Sequence, residues 1–183
     1  MIRHACWTAA ALSVLALLAG CSGPDTTAVP TEGAAPFVCD GVSARGVELA
    51  LGGAAVAERT EGSWAEGERF SCAVTREQGS GTIMVTSMPV DQGGTWGSDE
   101  NSIQSTLASQ GGAERITSGG DGIGYVFAQG SAGWVCSGRL TLVVLDDMST
   151  AKRDQRADAR ALLVSMLPWA CGGEKVPART VGK

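Results

Sequence analysis

Histidine is almost missing from this sequence of 183 residues: the only one is His4. It precedes an apolar run, Ala9 to Ala19, that reads as the core of a cleavable signal peptide, so the processed chain is expected to hold no histidine. Without it there is no histidine-based triad, no histidine metal ligand and no histidine pH switch, and an enzyme would lack the commonest general base. Basic residues are also in deficit, with 14 Lys and Arg against 19 Asp and Glu. That sign argues against nucleic acid and against electrostatic adhesion to anionic lipid, since both need a basic face. Long apolar runs are scarce as well. Ala9–Ala19 is too short to cross a bilayer as a helix, which takes about 20 residues, and no other segment is apolar for long enough. Nor is there a CxxC pair to suggest a metal knuckle or a redox site.

What the N-terminus does hold is informative. Arg3 gives a positive start, and the apolar run leads into Leu18, Ala19, Gly20 and Cys21. This quartet resembles the bacterial lipobox: a branched residue, two small residues that fit an extended scissile segment into a narrow site, then the cysteine to be acylated. The resemblance implies removal of residues 1–20 and lipid on Cys21. Two or more acyl chains anchor firmly, because each buried methylene contributes about 0.8 kcal/mol. The expected location is the extracytoplasmic face of the cell membrane, held by lipid. Cleavage removes Arg3, so the formal charge of −5 becomes −6.

Cys6 would leave with the signal and Cys21 would be lipidated, which leaves Cys39, Cys72, Cys136 and Cys171. An even number in an oxidising compartment points to disulfides, and four cysteines allow three connectivities. Cys39 with Cys72 and Cys136 with Cys171 is preferred, because each pair ties a helix end to the strand nearest in sequence.

Residues 22–36 are small, polar and proline-containing, and read as a flexible tether; residues 172–183 have the same character and read as a disordered tail. Between them, residues 37–171 are expected to form one α+β domain. Ser43–Leu51 has a capping serine and stops at Gly52-Gly53, which predicts a helix. Arg69–Arg76 alternates and Gly81–Val90 is rich in β-branched residues, which predicts a hairpin. Asp99–Gln110 opens with acids and spaces Ile103 and Leu107 four apart, a second helix. Gly122–Ala128 and Gly133–Leu145 predict a second hairpin, and Thr150–Leu167 a last helix ended by Pro168. The predicted fold is therefore an antiparallel sheet of about four strands covered by about three helices, in the order αββαββα, with two disulfides.

Several of these features together resemble the small actinobacterial lipoproteins of unknown function grouped as family 3558 of uncharacterised domains. They are the lipobox, Cys39-Asp40 before a helix ending in Leu51-Gly52, a strand cysteine at Cys72, and the Gly122-Ile123-Gly124 turn before an apolar strand. The role of that family is itself unknown, so the resemblance implies no catalytic or binding residue.

Other patterns favour plain readings. Ser149-Thr150-Ala151-Lys152 matches SxxK, but no SDN or KTG accompanies it, and a helix cap beside a solvated lysine accounts for it. The glycines of 119–124 precede a strand, so no helix N-terminus is there to receive an anion. Asp146, Asp147, Asp154 and Asp158 lack the spacing of a calcium loop, and the last two, among Lys152, Arg153, Arg156 and Arg160, read as a solvated charged face. Neither metal nor cofactor is expected. Trp134 and Trp169 read as core, whereas Trp64 and Trp96 lie in glycine-rich loops, where they either pack or mark a binding surface for a partner or sugar chain. The leading expectation is a non-enzymatic binding or accessory module that meets an envelope protein or polymer. The alternative is a carrier whose sandwich holds a lipid or other small hydrophobic ligand. An enzyme ranks third, for want of a nucleophile–base arrangement.

Overall fold

The computed structural model describes residues 26–65, 67–117, 120–148 and 152–180. The signal peptide, Cys21 and the start of the tether lie outside them. The strands are β1 (Phe37–Cys39), β2 (Val42–Ser43), β3 (Ala55–Gly62), β4 (Phe70–Arg76), β5 (Thr82–Pro89), β6 (Glu114–Ile116), β7 (Ile123–Phe127), β8 (Ser131–Cys136) and β9 (Arg139–Asp146). The helices are α1 (Ala44–Leu51), α2 (Glu100–Ser109) and α3 (Gln155–Ala170).

Seven strands form one antiparallel sheet in the order β3-β4-β5-β9-β8-β7-β6, and β1 and β2 make a separate two-stranded ribbon. The expected four-stranded sheet in the order αββαββα is thereby corrected. Three features account for the difference. Residues 133–145, read as a single strand, are two, because Ser137 (φ 48°) and Gly138 (φ 72°) turn the chain and Cys136 pairs with Arg139. Two consecutive left-handed residues make the tight hairpin turn whose twist matches the strands it joins. β3 carries Glu58, Arg59 and Glu61, so it lacks the apolar alternation that marks a half-buried strand. β6 is three residues long, and only Ile116 in it is buried.

Helices α1 and α3 cover one face of the sheet. Beneath them lie Cys72 and Val74 of β4, Ile83 and Val85 of β5, Val143 and Leu145 of β9 and Trp134 of β8, joined by Val47, Leu51, Leu163 and Met166 from the helices. α1 follows Ser43 and ends on Gly52 in the left-handed conformation (φ 68°, ψ 32°), where the Gly52 and Gly53 amides donate to Leu49 and Glu48. Such a position suits glycine, which has no Cβ to crowd the carbonyl. The Ser43 hydroxyl does not cap the helix but donates to the Ala34 carbonyl at 2.9 Å. α3 starts at its cap Asp154, whose carboxylate accepts from the Arg156 and Ala157 amides at 3.1 Å. It passes through Pro168, expected to end it, and stops at Ala170.

α2 packs on the opposite face. Ile103 and Leu107 bury against Phe127, Val135, Leu140 and Leu142, with Met88 at the margin. Its start is a reciprocal cap in which Asp99 accepts from the Ser102 amide at 3.0 Å and the Ser102 hydroxyl receives the Asp99 amide at 3.2 Å.

Disulfides join Cys39 to Cys72 and Cys136 to Cys171. The first ties the β1–β2 ribbon to β4, and the second ties the end of α3 to β8. With sequence separations of 33 and 35, each restricts the unfolded chain by roughly 3 to 4 kcal/mol on the loop-entropy model.

The composition of residues 22–36 and 172–183 predicts free ends, yet the described parts of both lie on the domain. Val29 is buried between α1 and α3. At the other end the Thr180 amide donates to Phe37 O at 2.9 Å, Gly41 donates to Pro177 O at 2.8 Å, and Arg179 donates through its amide to the Asp40 carboxylate at 2.7 Å.

Candidate binding surface

The two loop tryptophans come first, since they are the aromatic candidates for contact with a partner or sugar. Trp64 lies flat on Phe70, with ring centroids 4.6 Å apart and planes 28° apart, and its indole N–H donates to Asp40 O at 2.9 Å. Trp96, in a single 3-10 turn (Gly94–Trp96), packs half-buried against the Ile103–Leu107 cluster under α2. Both rings are therefore committed to packing, and neither stands out as a stacking platform. They lie on separate clusters, so the structure does not gather them into one site.

The loop that holds Trp64 is fixed by Arg139. This guanidinium donates to Ala65 O at 3.0 Å, to Glu68 O at 3.1 Å and to the Ser87 hydroxyl at 3.2 Å. Burial lowers its pKa, because desolvation disfavours the charged form. The Ser87 and Thr141 hydroxyls, wholly buried below it, lie 3.1 Å apart within hydrogen-bonding distance. Among the described residues these partners include no carboxylate, so the group acts as a clamp that holds the chain at Ala65 and Glu68.

The remaining sequence candidates also resolve into structure. Gly124 faces the Trp134 indole so closely that a Cβ there would overlap the ring, and Gly122 has φ +101°. Trp134 donates its indole N–H to Asp121 O at 2.9 Å. The glycines thus admit a tryptophan. Ser149 to Ala151 of the SxxK pattern lie outside the described residues, and Lys152 is exposed. The reading of Asp158 as part of a solvated face is corrected: Arg153 Nε and Asp158 Oδ2 are 2.7 Å apart, with side chains 6% and 5% exposed. A second contact, Arg153 Nη2 to Asp158 Oδ1 at 2.9 Å, makes the pair bidentate. Among the described residues no three His, Cys, Asp or Glu side chains converge as a metal site.

The surface that stands out is half of the sheet. Side chains alternate across the strands, so those opposite the α1–α3 layer point to the face that α2 occupies. α2 and the turns before it cover β7, β8, part of β9 and the Met88 end of β5, and leave β3, β4 and the Met84 end of β5 bare. On this bare half Val56 pairs with Thr75, Ala73 with Met84, and Met84 with Val144. Val56, Met84 and Val144 are the large hydrophobic side chains exposed on the molecule, at 47%, 46% and 39% among the described residues, and all three point the same way. An exposed Arg59–Glu61 pair borders them on the edge strand. A folded chain scatters single apolar residues over its surface, whereas three on β3, β5 and β9 of one uncovered face, with the small Ala73 and Thr75 of β4 between, form a patch.

A groove of about 360 Å3 runs along the end of α3, between Thr31, Val164, Leu167 and Pro168, with Asp121 and Glu174 at its sides. It is open to solvent and partly acidic.

No protein-family model, no curated protein and no solved structure matches this chain. Its functional reading rests on its own residues.

Proposed function

We propose that the chain is a lipoprotein anchored through Cys21 at the extracytoplasmic face of the cell membrane, whose domain is a non-enzymatic binding module for an envelope protein. The lipobox-like Leu18–Cys21 quartet supports the anchor. The bare half-sheet supports the binding role, and it is the observation that carries the reading. An apolar strip made of Val56, Met84 and Val144 with the small Ala73 between strands suits a flat protein surface, and Met84 adapts its shape to what it meets. A sugar polymer calls for exposed aromatic rings, and Trp64 and Trp96 are packed away. The carrier alternative calls for an enclosed apolar chamber, and the groove along α3 is open with Asp121 and Glu174 at its sides.

The test is photo-crosslinking in intact cells, with the reactive group placed at Met84 on the bare face or at the exposed Arg45 of α1. A protein adduct specific to the Met84 probe, and lost when Val144→Glu is added, supports the reading. Equal adducts from both probes, or none from Met84, reject the bare face as the binding surface.

A further inference from the structure

We infer that residues 26–36 are a docked arm and not a spacer, so that lipid on Cys21 holds the domain close to the bilayer at the N-terminal end of α3 and turns the bare half-sheet away from it. The inference rests on the proposed acylation of Cys21.

The arm is attached along its length. Thr27 O accepts from Arg153 Nη2 at 2.8 Å. Val29 is 5% exposed and sits over Gly46 of α1, which in turn lies against Leu162 of α3. Gly33 lies against the Trp169 ring and the Ser165 carbonyl, and Ala34 O accepts the Ser43 hydroxyl. The arm therefore runs over the helix layer from the start of α3 to its end. Its outer end is fixed at Thr27, six residues after Cys21. Six residues span at most about 21 Å, where a free tether to Phe37 would reach about 55 Å.

The position of Thr27 sets the orientation. Arg153 precedes α3, whose first turn adjoins the β6 side of the sheet: Arg156 donates to Gly112 O at 2.9 Å and pairs with Glu114 at 3.1 Å. Gln155 packs on Gly130 in the β7–β8 turn. Counted from β7 in the sheet order, Val144 on β9 lies two strand spacings away, Met84 on β5 three and Val56 on β3 five, about 10, 14 and 24 Å. The bare face also looks away from the helices that carry the arm. Anchor and patch are thus on opposite faces of the sheet, and Val56 is also far from the anchor across it, which leaves the patch open to a partner while the lipid is in the membrane.

The experiment uses the full acylated chain in phosphatidylcholine vesicles with an energy acceptor at headgroup level. A donor is attached at Ala157→Cys, near the start of α3, or at Val56→Cys, on the bare face. Transfer is expected to be stronger from position 157. It falls by about half when a twelve-residue Gly-Ser insert after Ser22 lengthens the leash about threefold. Equal transfer from both positions, or no response to the insert, overturns the docked arm. Mass analysis of the Cys21 peptide separates this from the anchoring itself: an unacylated Cys21 rejects the anchor and with it the orientation. The arm has its own readout in either case, since Val29→Cys should react with a thiol reagent far more slowly in the native chain than in urea. Equal rates there reject docking.

Discussion

Asp158→Ala is the sharpest perturbation of the fold. It removes one half of a bidentate ion pair whose two side chains are 6% and 5% exposed, and it leaves the Arg153 guanidinium buried beside a missing carboxylate. Two charges withdrawn from water nearly cancel their desolvation against their mutual attraction, but one charge left alone does not. The expected loss is about 3 to 5 kcal/mol, which in a domain of this size lowers the melting temperature by roughly 10 °C. Asp158→Asn keeps an oxygen in place and should fall between. The decisive comparison is the double variant Arg153→Met, Asp158→Leu, which fills the same space without charge and should come within about 1 kcal/mol of the parent. Chemical denaturation followed by tryptophan fluorescence, on the parent, Arg153→Met alone, Asp158→Leu alone and the double variant, measures the coupling directly. A loss below about 1 kcal/mol for Asp158→Ala, or a double variant as unstable as the two single losses added, would refute the reasoning, because the pair would then behave as a solvated one.

Three further outcomes are expected. The Asp99 carboxylate, held below its ordinary pKa by the Ser102 amide and hydroxyl, stabilises α2 in its ionised form. Its contribution is full above the ordinary carboxylate range and is lost as pH falls through the lowered value. Asp99→Ala should therefore lower the melting temperature at pH 7 and make no difference in strong acid, and a gap that persists at low pH would exclude the cap as its cause. Replacing Cys136 and Cys171 together with serine should cost roughly 3 to 4 kcal/mol in denaturant titration, with the far-UV spectrum unchanged. Gly124→Ala puts a methyl group into the Trp134 ring and should cost about 1 to 3 kcal/mol while shifting the tryptophan emission. Parent-like stability there would mean that the ring can move aside.

How far the sequence specifies this fold depends on the segment. Elements whose buried side chains alternate or recur at helical spacing were legible: β4 with Phe70, Cys72 and Val74, and α2 with Ile103 and Leu107. β3 was not, because it lies at the edge of the sheet, where exposed charges such as Arg59 and Glu61 guard against pairing with another chain and interrupt the apolar alternation. The β8–β9 turn was hidden by a different cause. Apolar residues run through both strands, and Ser137-Gly138 is a break of only two residues between them. Of the candidate surface, Val56, Met84 and Val144 lie on three separate strands, and nothing local says that α2 stops short of them. Their exposure follows from strand order, which periodicity does not encode.

The docked ends show the same limit at its strongest. Residues 26–36 and 172–180 are too poor in large apolar side chains to fold by themselves, and their composition is that of free chain. They are held because the domain has already met most of the cost of ordering, so that one anchor every few residues suffices. Val29 is such an anchor in the arm, and the Thr180 contacts with both polar groups of Phe37 are another in the tail. Trp169 joins the two regions, since Gly33 of the arm and Gly41 of the ribbon both lie against its indole with no room for a Cβ. Two glycines that look like flexible linker residues are thus required by one ring, and the ring lies over a hundred residues downstream of both. The reach of the anchor is therefore set by how the arm packs on α3 and not by the length of its polar sequence.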